Sequence, residues 1–201
     1  MSFEQQLEQE VRNLKDRPKD LILFMHQMLN LAVEDVKKTF SVTCKKGCSH
    51  CCYMPVSANK MEVGLILEYI KEEKVEFSTE RMNKQINFEK GRYKNPENFS
   101  PADWVKNPIE DRKCMFLTDE GLCSIYSVRP LECKGHFVVS PVEQCVTDTE
   151  EQKRVQTVGV YPIYTRPMIL EAYKWIPDLS LPELLPHMMK KGLENDNLVC
   201  D

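Results

Sequence analysis

The feature that most constrains this chain is the crowding of four thiols and an imidazole into nine residues, Cys44-Lys45-Lys46-Gly47-Cys48-Ser49-His50-Cys51-Cys52, with four more cysteines at 114, 123, 133 and 145. A reducing interior keeps thiols free, so the ordinary reason to gather them is metal or redox chemistry. Whatever fold forms must then carry two distant segments to one place. Disulfides are the competing use, but they suit shorter secreted scaffolds, and residues 1–16 are charged and polar without the apolar stretch of a leader. No segment approaches about 18 uninterrupted apolar residues. The expectation is a soluble protein of the cytoplasm with no membrane partner.

Thiolate ligands need several sulfurs close together, a loop free to wrap an ion, and positive surroundings that lower thiol pKa. The first cluster supplies all three: no acid occurs between Ser41 and Met61, Lys45, Lys46 and Lys60 are basic, and Gly47 lets the backbone bend. Neighbouring side chains in an extended loop diverge, so the adjacent pair Cys51 and Cys52 implies two sites, or one site plus a sulfur used otherwise. The eight cysteines suit two sulfur-only zinc sites or one cubane cluster with spare thiols. His50 and His136 flank cysteines but find little vacancy in a sulfur-rich site, and His26 and His187 read as packing or surface residues. Cys200, near the end of the chain, is the odd thiol out.

With 201 residues and 42% hydrophobic content, one sizeable core is expected, hence a single domain over 1–201. Its parts are N-terminal helices over 1–43, a cysteine-cluster core over 44–145, C-terminal helices over 146–194 and a flexible tail over 195–201. A net charge of -4, with 27 basic residues scattered among 31 acids, excludes nucleic acid as the main partner. The fold class is mainly α, an irregular helical domain with one short β-hairpin.

Ser2 with Gln5 reads as a capping box opening a helix over 3–16, and Pro18 suits the first turn of a second, strongly apolar helix. Residues 43–55 form a loop. Ser57 is then read as the cap of a third helix, and Ser78 opens a fourth with Met82, Ile86 and Phe88 on its inner side. The stretch 92–113 is an ordered loop packed by Tyr93, Phe99 and Trp104. Cys114 to Tyr126 reads as a hairpin about the turn 118–121; if Leu117 faces Leu122, Cys114 and Cys123 are diagonal neighbours with Cα atoms about 7–8 Å apart. Leu131 to Lys134 makes one helical turn carrying Cys133. Helices follow over 148–156 and 167–175, then a last one with Ser180 as cap, Pro182 in its first turn and Gly192 as stop.

The order Cys44-x3-Cys48-x2-Cys51-Cys52, then Cys114-x-Phe116-Leu117, Asp119-Glu120-Gly121-x-Cys123-x-Ile125-Tyr126-x-x-Arg129-Pro130-x-x-Cys133 and a last Cys145, resembles the YkgJ or CxxCxxCC family. Its members are described as zinc- or iron-chelating cysteine-cluster proteins. The resemblance spans Cys44 to Cys145, and the gap after Cys44 is one residue longer than the family label spells. It makes Cys44, Cys48, Cys51, Cys52, Cys114, Cys123, Cys133 and Cys145 candidate metal ligands. It also casts Arg129 as a cofactor-binding residue behind them, its guanidinium satisfying sulfur or backbone carbonyls.

Cys44, Cys48 and Cys51 also match the three-cysteine spacing of radical enzymes that cleave S-adenosylmethionine, but those build on repeated strand–helix units that this chain lacks. A shielded loop between apolar helices favours a [4Fe-4S] cluster, with Zn2+ kept as the alternative. Three functions then compete: a metal-handling or accessory module, a redox protein, and an enzyme. The family includes a flagellin lysine methylase, which makes the enzyme reading an S-adenosylmethionine-dependent methylase-like protein. Against it, the chain has no GxGxxG, nucleophile elbow or HExxH.

Overall fold

The computed structural model describes residues 3–45, 47–92, 104–145, 156–159, 166–176, 179 and 183–195. Among them are eight α-helices: α1 Phe3–Leu14, α2 Pro18–Thr39, α3 Lys60–Glu73, α4 Thr79–Arg92, α5 Ile109–Arg112, α6 Leu131–Lys134, α7 Arg166–Trp175 and α8 Leu185–Glu194. Two antiparallel pairs of very short strands complete the fold. β1 Ser57–Ala58 pairs with β4 Glu183–Leu184, and β2 His136–Val138 with β3 Thr157–Gly159. The mainly helical architecture expected from the sequence is what forms.

α2 is a helix because its apolar residues recur at helical spacing and Pro18 pre-sets the first turn, where its missing N–H costs nothing. Leu21, Ile22, Met25, Leu29, Ala32 and Val33 are buried against α1, α3 and α6. α3 is buried on more than one side: Met61 and Leu65 join that cluster, while Val63 and Ile66 join a second one with Met82, Ile86, Met115, Phe116, Ile125, Leu185, Met188 and Met189. One helix thus walls off two cores. A Lys19–Glu68 ion pair ties α2 to α3 at the rim.

Several local expectations are corrected. The cap of α3 is Asn59: its side chain accepts from Glu62 N at 3.0 Å and the Glu62 carboxylate accepts from Asn59 N at 2.8 Å, a complete capping box. Ser57 is held instead in β1 opposite Leu184. The polar alternative lost because Ser57 has Lys60 three residues on, whereas Asn59 has the required acid. The loop over 43–55 contains a 3-10 turn, His50–Tyr53. Cys114 to Tyr126 is a looped turn with a single bridge, Leu117 opposite Cys123, one residue out of the expected register with Leu122. Gly121 enables it at φ +75, and Thr118 N donates to Leu122 O at 2.8 Å.

In the stretch read as a loop over 92–113, Ile109–Arg112 is helical, and Trp104 is buried as expected. Gln156 is not helical, and 157–159 form a strand where a helix over 148–156 was expected to end. Gly192 lies inside α8 and is buried, so the helix runs through it to Glu194. Ser2, Tyr93, Phe99, Ser180, Pro182, Cys200 and the Phe88 side chain lie outside the described residues, as do 146–155.

Candidate metal centre

Two backbone anchors bring the cysteine segments together. Cys114 N donates to Cys52 O at 2.8 Å, joining the second segment to the first. Thr43 N and its hydroxyl both donate to Val138 O, at 2.9 and 3.0 Å, seating the start of the first loop on β2 just beyond Cys133. Within the loop, Gly47 sits at φ +86, and the chain then winds into the 3-10 turn that carries Cys51 and Cys52. Trp104 covers this turn by donating its indole N–H to Tyr53 O at 2.8 Å.

Cys133 is placed by two carboxylates, one of them fully buried. Glu62, capping α3, also accepts from Leu131 N at 2.8 Å, which fixes the start of α6; Glu132 accepts from Ser57 N at 2.6 Å, which fixes the same turn to β1. The far side of the site is held by α4: Arg81 donates to Leu117 O at 2.6 Å, and Gln85 to Arg112 O and Lys113 O at 3.1 and 3.0 Å.

These elements enclose a cavity of about 610 Å3 whose wall includes Cys48, Cys51, Cys52, Cys114, Cys123 and Cys133. Six of the eight candidate cysteines therefore line one cavity. Cys44 lines a separate surface hollow by the end of α2, where its sulfur accepts from Val138 N at 3.2 Å, yet it is near enough to Cys48, Cys51 and Arg129 for their charges to act on it. Cys145 closes the 3-10 turn Val142–Cys145 and is not on the cavity wall. His136 is on the wall, a residue that sequence reasoning set aside although it lies three positions after Cys133. His50 is not on that wall, and His26 is buried with its Nδ1 3.1 Å from Lys134 Nζ.

Cys51 and Cys52 do not diverge as an extended loop would make them. In the 3-10 turn the two thiols act on each other: Cys52 holds Cys51 below the ordinary thiol range, and Cys52 is itself raised by Cys51 and by burial. Burial pushes Cys114 up to about 12, with Cys123 and Cys51 adding to it, and raises Cys133, where Cys51 and Cys114 again add. Burial also raises Cys123 and Cys44. Thiols packed this way resist becoming thiolates together unless a cation joins them, and a metal ion is the cation that removes protons from clustered sulfurs.

The expected source of positive charge is corrected. Lys45 and Lys60 are exposed, and Lys46 lies outside the described residues. Arg129 takes that part: it is on the cavity wall, and at Cys51, Cys44, Cys123 and Cys133 its charge lowers the thiol where burial raises it. Its Nε is buried without a hydrogen-bond partner among the described residues, an orphan that an anionic sulfur centre would satisfy. Among the described residues no three His, Cys, Asp or Glu side chains converge on a single ion position. The thiols line a hollow instead of surrounding a point. The donor set and the unpaired guanidinium are what fit a metal centre here.

Among the described residues no helix is long and apolar enough to cross a membrane. The sequence model of the CxxCxxCC family, whose description reads "Putative zinc- or iron-chelating domain", matches residues 43–157. No curated protein and no solved structure matches the chain.

Proposed function

Because the chain belongs to the CxxCxxCC family, we propose that it is a metal-holding protein whose centre sits in the cavity on sulfurs drawn from Cys48, Cys51, Cys52, Cys114, Cys123 and Cys133. The observation that carries this is the meeting of six thiols from two distant segments on one wall, beside a guanidinium that no carboxylate of the described residues neutralises. Cys44 and Cys145, the other two ligand candidates, are auxiliary in this reading, because neither lies on that wall.

A [4Fe-4S] cluster is favoured over Zn2+. Sulfurs arrayed around a shielded hollow suit a polynuclear centre, whereas a structural zinc site draws four ligands about one point. Either way the protein acts as an accessory, metal-handling or redox module, because structural or stored metal in a helical domain requires no substrate chemistry. The enzyme alternative, an S-adenosylmethionine-dependent methylase-like protein, is favoured by one feature: the cavity is also lined by apolar side chains, Met54, Phe116 and Leu185 among them.

The test is anaerobic purification followed by an absorption spectrum and elemental analysis. Broad visible absorption with iron and sulfide supports the cluster. A colourless protein with stoichiometric zinc replaces it with zinc, and no metal at all refutes the function. Calorimetry with S-adenosylmethionine decides the alternative, which fails if no heat of binding is seen.

A further inference from the structure

The cation beside the thiols is held by an aromatic ring. The guanidinium carbon of Arg129 lies 4.3 Å from the centre of the Tyr126 ring, and both residues line the cavity. The charged groups nearby are committed elsewhere. Glu62 accepts from Asn59 N and Leu131 N, Glu132 from Ser57 N, and Lys134 turns away from the cavity to His26 Nδ1. Arg129 is left with its charge unneutralised by any carboxylate of the described residues and with a buried Nε–H that none of them accepts.

A buried N–H with no acceptor on a charged group is best completed by something anionic. A divalent ion on four thiolates carries two net negative charges, and an oxidised cubane cluster on four thiolates carries the same charge, so either centre needs a counter-charge in a shielded pocket. Sulfur is also a good acceptor for a guanidinium N–H. We propose that Arg129 is the counter-ion and hydrogen-bond donor of an anionic multi-thiolate centre, and that Tyr126 is the positioning residue that holds it there by its ring face. This rests on the metal reading given above and adds the charge of the centre and the residue that tunes it. Tyr126 is half-exposed, and the part of it that meets Arg129 is its ring face.

The experiment uses the full chain, stripped and titrated anaerobically with Co2+, read by the thiolate-to-cobalt charge-transfer absorption and by competition with Zn2+. Arg129→Leu should weaken cobalt binding by about 10- to 100-fold, the usual loss when an outer partner of a metal ligand is removed. Arg129→Lys, which keeps the charge and loses the Nε–H, should fall between. Tyr126→Leu should weaken binding by about 2- to 30-fold, and Tyr126→Phe, which keeps the ring face, should match the wild type.

Equal affinity in the wild type and both leucine variants would overturn the proposal. Tyr126→Phe as weak as Tyr126→Leu would overturn the positioning role. Circular dichroism checks folding; if Arg129→Leu does not fold, Arg129→Lys and the Tyr126 pair carry the decision. A wild-type protein that takes up neither cobalt nor iron would instead refute the metal reading itself.

Discussion

Replacing Glu62 by glutamine should change how stability depends on pH, because this carboxyl does two structural tasks from a fully buried position. It is 3% exposed, accepts from Asn59 N and Leu131 N at 2.8 Å each, and so joins the cap of α3 to the turn that carries Cys133. Burial raises its pKa from 4.5 to about 7; the two N–H donors oppose that only in part, and the nearby Glu132 adds to it. Between pH 4.5 and about 7 the folded chain therefore keeps a proton that the unfolded chain releases. The stabilising contribution is fully present below 4.5 and is lost as pH rises through about 7. At about 1.4 kcal/mol per pH unit, the loss amounts to about 3 kcal/mol.

Glutamine keeps the shape and one acceptor but cannot titrate. Urea unfolding of matched metal-loaded samples, followed by tryptophan fluorescence, gives the stability difference at each pH, in which most other titrating groups cancel. Tyr173, whose own pKa is raised by burial and then by Glu62, titrates above this window. Wild-type stability relative to Glu62→Gln should fall by about 2–3 kcal/mol between about pH 5 and about pH 8. A difference that stays flat across that range refutes the assignment of a protonated, buried Glu62.

Other outcomes follow from the same geometry. Cys133→Ser should cost far more bound metal than Cys44→Ser, measured by elemental analysis, because only Cys133 is on the cavity wall. Gly121→Ala should destabilise by about 1–2 kcal/mol in chemical denaturation: at φ +75 a side chain is strained, although its Cβ would meet Ser49 Oγ only at an ordinary 3.8 Å. Ile66→Ala, fully buried on the face of α3 turned to the second core, should cost about 2–5 kcal/mol and lower Tm.

The helices were legible because their signals are local. Apolar spacing in α2, Pro18 in its first turn and the change of pattern after Glu73 lie within a few residues of what they determine, so the α-rich class, α1, α2, α4 and the short α6 could be read from the chain. The cysteine grouping likewise declared metal chemistry before any coordinates. Even Asn59 was available, since Glu62 stands three residues on; choosing Ser57 ignored that reciprocal partner.

What only the tertiary structure decided is the allotment of partners. That Ser57 is no cap could be read locally, but that it pairs with Leu184, in a strand more than a hundred residues away, could not. The bridge of Leu117 to Cys123, the effect of the Cys51 and Cys52 thiols on each other, and the placing of Cys44 at a separate hollow all depend on how the loop is wound and what it is pinned to. The surroundings of the basic side chains belong here too: Lys45 and Lys60 are exposed, while Arg129, already singled out by the family resemblance, stands on the cavity wall over the Tyr126 ring. Chemistry that depends on which residue types are present is written in the chain; chemistry that depends on which of them are desolvated together appears only when distant segments close on one another.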